Sequence, residues 1–161
     1  MHRERAKLIK RGVLGAGALF VLAQLVPYGH TQKNAPVVQE PKWDSPATRD
    51  LAHRACMNCH GNQTIWPWYS NIAPVSWLVA SDVYGARAKL NFTEFNKPQK
   101  KARDAVDEVQ GGDMPPWFYV IMHPEAKLSD TDRSALIEGF KRTFESDKPN
   151  AEHDHDGDRD K

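Results

Sequence analysis

Cys56, Cys59 and His60 stand in the order Cys-x-x-Cys-His, and the chain's two cysteines are both in it. On a helix, positions i, i+3 and i+4 share one face. Two thiols and an imidazole placed this way can bond both vinyl groups along one edge of a porphyrin and present a nitrogen to its iron. That is the spacing of covalent haem attachment. Two other chemistries use cysteine pairs. A redox-active dithiol expects a βαβ setting, which nothing in the chain suggests. A structural zinc needs four ligands, and there is no second cysteine pair at finger spacing. The motif therefore points to one covalent haem on Cys56 and Cys59, with its iron held by His60.

A second axial ligand has four candidates: Met114, Met122 and His123 downstream, and His53 upstream. Met114 stands in Gly-Gly-Asp-Met-Pro-Pro-Trp, residues 111–117. The glycines allow a sharp turn, and the two prolines hold the backbone out of a helix. A thioether binds iron weakly, so a stiff loop that pre-positions it limits the entropy lost on coordination. His123, followed by Pro124, is the competing metal ligand, since an imidazole binds iron strongly. Met/His ligation raises the potential, whereas an open sixth position admits a small ligand.

The elements that must position these residues read as all-α. Ser45 or Asp44 caps a first helix with Pro46 in its first turn, running into Cys56. Residues 62–73 read as a loop rich in Trp, Pro, Tyr and Asn. Pro74 opens a second helix, with Val75, Leu78, Val79, Asp82, Val83 and Ala86 near one face. A third follows Pro98, carries Ala102, Ala105, Val106 and Val109 on one stripe, and ends at Gly111-Gly112. The last starts at Ser129, with Asp132 three residues on, and stacks Leu136, Phe140 and Phe144. No alternating run suggests a sheet. The carbonyl of Pro67 or Pro74 is the expected acceptor for the second His60 ring nitrogen. Trp66, Trp68, Tyr69 and Trp77, then Trp117, Phe118 and Tyr119, cluster on either side of the ligands and read as core or as pocket wall, and Arg87 is a cation that could reach a propionate.

At 161 residues the chain has room for one domain with length to spare. Lys and Arg total 22 against 21 for Asp and Glu, so it lacks the basic excess of a nucleic-acid-binding surface. The charge is uneven, however. Residues 1–11 hold Arg3, Arg5, Lys7, Lys10 and Arg11 against Glu4, and Gly12 to Gln32 carries no Asp, Glu, Lys or Arg. A basic flank before an apolar run is the pattern of an N-terminal anchor, and no Ala-x-Ala-like site follows it. The expected organisation is a cytoplasmic flank over 1–11, a transmembrane signal anchor over 12–30 and a linker over 31–45. A haem domain over 46–146 and a disordered polar tail over 147–161 complete it. In that tail His153 and His155 read as solvated rather than as a metal site. The positive-inside rule places the flank in the cytoplasm and the haem domain beyond a bacterial inner membrane, in the periplasm or an equivalent space.

Residues 56–60, Met114-Pro115-Pro116 and the helix after Leu128-Ser129 look like a class I cytochrome c in their order. More closely, PKWDSPATRDLAHRACMNCHGNQTIWPWYSNIAPVSWLVASDV, LNFTEF and GGDMPPWFYVIMHPEAKLS resemble the haem-binding domain family of membrane-anchored bacterial proteins, over most of residues 36–144. The resemblance implies a cytochrome c-like helical domain around one covalent haem, with His60 as proximal ligand. The combined expectation is a membrane-anchored monohaem c-type cytochrome that exchanges electrons with redox partners in the membrane or periplasm. The alternative is a haem-based sensor or small-ligand-binding module with an open sixth iron position. No paired carboxylates or Ser/His/Asp arrangement suggests an enzyme, and a weak peroxidase-like activity is the remaining catalytic option.

Overall fold

The computed structural model describes residues 2–99 and 101–147. Among these residues the fold is all-helical, with seven α-helices, two short 3-10 turns and no strand. One isolated parallel bridge joins Gln39 and Glu94. The chain divides into two compact units: one takes the residues up to Lys33 with Trp66–Asp82, the other Asn34–Ile65 with the residues from Val83 on.

The first unit contains α1 (His2–Ala23) and a 3-10 turn over Trp68–Asn71. Its two segments are joined by amide side chains. Gln24 exchanges both hydrogen bonds with the Ala73 backbone, at 3.0 and 2.9 Å. Gln32 Nε2 donates to the Ser70 carbonyl at 2.6 Å. The expected transmembrane anchor must be corrected, because no described helix is long and apolar enough to cross a membrane. Although α1 has 22 residues, its first half carries Arg3, Glu4, Arg5, Lys7, Lys10 and Arg11. The charge-free helical part, Gly12–Ala23, spans only about 18 Å at ~1.5 Å per residue, against roughly 30 Å of hydrocarbon. The all-α fold class stands without its transmembrane helix. The single-pass inner-membrane placement that rested on this anchor falls for the same reason.

The second unit holds α2 (Pro46–Ala55), α3 (Met57–His60), α5 (Asp104–Gly111), α6 (Trp117–Met122) and α7 (Asp130–Ser146). Helix α4 (Val75–Lys89) begins in the first unit and ends in the second. Local signals set several boundaries as the sequence implied. Ser45 caps α2 by accepting from the Thr48 N–H at 3.2 Å, with Pro46 at the first helical position. Ser129 caps α7 by accepting from the Asp132 N–H at 3.1 Å. The α7 stripe of Leu136, Phe140 and Phe144 is buried. Gly112 ends α5 in the left-handed region, with φ +85°.

Helices α2 and α7 pack together, and Gly139 makes their close approach possible: a Cβ there would meet Thr48 Oγ1 at 2.2 Å. Around this crossing the core is a row of rings. Phe92 lies 5.6 Å from Phe140 and 5.3 Å from Trp43, and Phe140 lies 5.3 Å from Phe144. The segment expected as a linker, 31–45, is extended and hydrogen-bonded at several points. Among these, Asn34 Nδ2 donates to the Thr64 carbonyl, and the Val38 N–H donates to the Thr93 carbonyl. The polar tail from position 148, with His153 and His155, lies outside the described residues.

Candidate haem site

Cys56 is the N-cap of α3, a single turn that ends at His60. The Cys59 and His60 N–H groups both donate to the Cys56 carbonyl, at 3.1 and 2.9 Å, so the motif is wound as its spacing requires. Neither cysteine is in a disulfide. The Cys56 thiol is pushed up to about 12, first by burial and then by the charge of Cys59. A redox-active dithiol needs the opposite, a thiolate stabilised near neutral pH.

His60 is held on both its main chain and its ring. Its carbonyl accepts from the Phe92 N–H at 2.8 Å. Its Nδ1 lies 2.9 Å from the Leu90 carbonyl oxygen. A carbonyl can only accept, so Nδ1 carries the proton and Nε2 keeps its lone pair for a metal. Burial lowers the His60 pKa, opposed by the backbone hydrogen bonds of Leu90 and Ala86, and favours the neutral, ligating form. The ring stands edge-on to Phe92 at 6.3 Å, at one end of the aromatic row.

The acceptor is not the one expected from sequence. The Pro67 carbonyl accepts from Ser70, and the Pro74 carbonyl from Trp77 and Leu78. Leu90 follows directly on the end of α4, and a buried polar network holds the segment behind it. Asn91 Nδ2 donates to Asn62 Oδ1 at 2.8 Å, and the Asn91 N–H donates to Gln99 Oε1 at 2.8 Å. The Asn62 N–H donates to Thr93 Oγ1 at 2.8 Å. Asn62 lies two residues after His60, so the network locks the chain that leaves the imidazole to the chain that supplies its acceptor. Asn91 and Thr93 are both buried.

Met114 is fixed by the end of α5. The N–H groups of Asp113 and Met114 both donate to the Glu108 carbonyl, at 3.0 and 3.1 Å. Arg133 Nη1 donates to the Val109 carbonyl, satisfying another acceptor of that terminus. Met114 is half-buried and packs against the same core cluster as Cys56. The Met114–Pro115 peptide is cis, and Pro116 caps α6.

The rival imidazoles have other neighbours. The His123 ring stacks on Tyr119 at 4.3 Å, with Nδ1 3.2 Å from Glu125 Oε1. His53 Nε2 lies 3.4 Å from Glu40 Oε1. His53, Glu125, Met57 and Asn58 all line one cavity of about 320 Å³. Met57 and Asn58 are the two residues between the cysteines, which helical spacing turns away from the thiol face. Met122 is exposed. Of the expected aromatics, Trp68 and Trp117 are exposed, while the Tyr119 hydroxyl accepts from Asn58 Nδ2 at 3.0 Å. Among the described residues no group of three or more His, Cys, Asp or Glu could hold a bare metal ion. Two thiols on one turn, an imidazole with its tautomer set and a thioether on the same core fit a haem as a donor set. They fit no zinc site.

A family described as a haem-binding domain matches residues 18–142. No curated protein and no solved structure matches the chain.

Proposed function

Because the chain belongs to the haem-binding domain family, we propose that it is a c-type electron carrier, with one haem bonded to Cys56 and Cys59 and its iron between His60 and Met114. The observation that carries this reading is the 2.9 Å contact between His60 Nδ1 and the Leu90 carbonyl, which frees Nε2 for iron. A bound haem supplies a one-electron change at its iron. The protein's own residues do the rest. The Asn62–Asn91–Thr93 network keeps the imidazole from swinging. The end of α5 keeps Met114 on the core that Cys56 borders. Phe92 and its neighbours exclude water and hold the local dielectric low. None of these groups needs to gain or lose a proton, which suits a binding or carrier role better than catalysis. The partners are then other one-electron donors and acceptors.

The test is an absorption spectrum of the full chain produced with a c-type maturation system, oxidised, reduced and with carbon monoxide. The reading expects haem that survives acid-acetone extraction, a thioether-to-iron charge-transfer band, and little response to carbon monoxide. Extractable haem would refute the covalent attachment. Rapid, complete carbon monoxide binding would refute the closed Met114 site in favour of a ligand-binding module.

A further inference from the structure

Arg87 is a half-buried cation to which the ligand set of the c-type haem reading assigns no task, and the role argued for it rests on that reading. From the last turn of α4, its Nε donates to the Gly61 carbonyl at 2.8 Å and its Nη2 to the Thr64 hydroxyl at 2.7 Å. The Thr64 hydroxyl in turn donates to the Asn58 carbonyl at 2.7 Å. The guanidinium is thus bonded to the residue directly after His60 and, through one hydroxyl, to the residue directly before Cys59. Leu90, three positions on, delivers the carbonyl that sets the His60 tautomer. Arg87 therefore sits where the attachment turn and the segment that orients its imidazole are fastened together.

Two properties of the group matter. Its planar fork makes both bonds at once, which an ammonium does not reproduce. Its charge also persists: burial pulls its pKa down, opposed by nearby Tyr84, Cys59 and Glu94, but a guanidinium stays protonated throughout the working range. Reduction of ferric to ferrous iron adds one electron and removes one positive charge from the site. A fixed cation beside the proximal ligand disfavours the ferric form, more strongly where water is partly excluded.

We propose that Arg87 is a positioning residue that also sets the reduction potential, clamping the proximal segment while its charge favours ferrous iron. Glu94 offsets part of that field, so the expected effect is moderate.

The experiment compares the haem-loaded full chain with Arg87→Gln, Arg87→Met, Arg87→Lys and Thr64→Val by redox titration and absorption spectroscopy. The neutral variants should shift the reduction equilibrium toward the ferric form by about three- to tenfold, with the covalent haem and the charge-transfer band retained. Arg87→Lys should recover most of that shift. Thr64→Val, which keeps the charge and removes the relay, should lower thermal stability and change the equilibrium less than about twofold. The proposal is overturned if a neutral variant leaves the equilibrium unmoved, or if Arg87→Lys falls as far as Arg87→Gln. Should neither neutral variant accumulate, a large shift in Thr64→Val would overturn it instead. Failure of the underlying haem reading is visible separately, as a wild-type chain without covalent haem.

Discussion

Before Met114, where the sequence offered a glycine turn and two stiff prolines, the Asp113 and Met114 N–H groups both donate to the Glu108 carbonyl. Met114→Ala is expected to leave the covalent haem in place, abolish the charge-transfer band, lower the potential and open the iron to carbon monoxide, all read from the same titration. His123→Ala should change none of these, and a lost charge-transfer band in that variant would transfer the ligand role. Cys56→Ala is expected to leave a single thioether, seen as a displaced reduced pyridine haemochrome band, and the double variant with Cys59→Ala to release haem on acid extraction. The helical winding of Cys56, Cys59 and His60 was legible because the motif lies within five consecutive positions. The acceptor for His60 was not, because it lies 30 residues away and is a backbone oxygen, which every residue type carries equally.

Elements were legible where their signals are local. Ser45 with Pro46, Ser129 with Asp132, and Gly112 each mark a helix end by a hydrogen bond or a backbone angle that the residue type itself permits. The buried face of α4 was not legible. Leu78, expected on the same face as Val83, is 65% exposed although Val83 is buried, while Ser76 and Ala80, outside that face, are buried. Polar residues such as Ser76, Ser81, Asp82 and Arg87 are spread around that helix, so periodicity finds no single apolar stripe. The crossing of α2 and α7 makes a sharper prediction. Gly139→Ala should destabilise the fold by about 1–3 kcal/mol, through the clash with Thr48. Adding Thr48→Ala should recover most of the loss in urea denaturation, and additive losses would show that the two residues do not meet. In the polar network, Asn91→Ala should cost about 3 kcal/mol by leaving the Asn62 and Thr93 groups unpaired.

For the molecule as a whole, the N-terminal segment shows how a composition argument can mislead. The basic flank and the apolar run are continuous in one helix, so the charges that suggested an anchor also shorten its apolar length. Stability should depend on acid in a defined direction. Burial raises Glu40 and Asp44, but hydrogen bonds and charges from Arg49 and Trp43, and from Thr48 and Arg142, outweigh it and leave both below their ordinary values of 4.5 and 3.8. Lys97 and Asn62 depress Glu94 likewise. A depressed carboxylate stabilises the fold above its unfolded pKa and stops doing so as pH falls through the folded one. The urea midpoint should therefore stay level down to about pH 5 and drop below about pH 4, with a shallower drop in Glu40→Gln. A midpoint that rises on acidification would contradict this. The Leu90 oxygen also determines what a mutational scan can detect. Swapping the Leu90 side chain keeps the oxygen, so a scan would score the position by its packing alone. Only an ester in place of the following peptide bond, introduced at Asn91 by semisynthesis, would weaken that acceptor, and it would also remove the Asn91 N–H that donates to Gln99 Oε1.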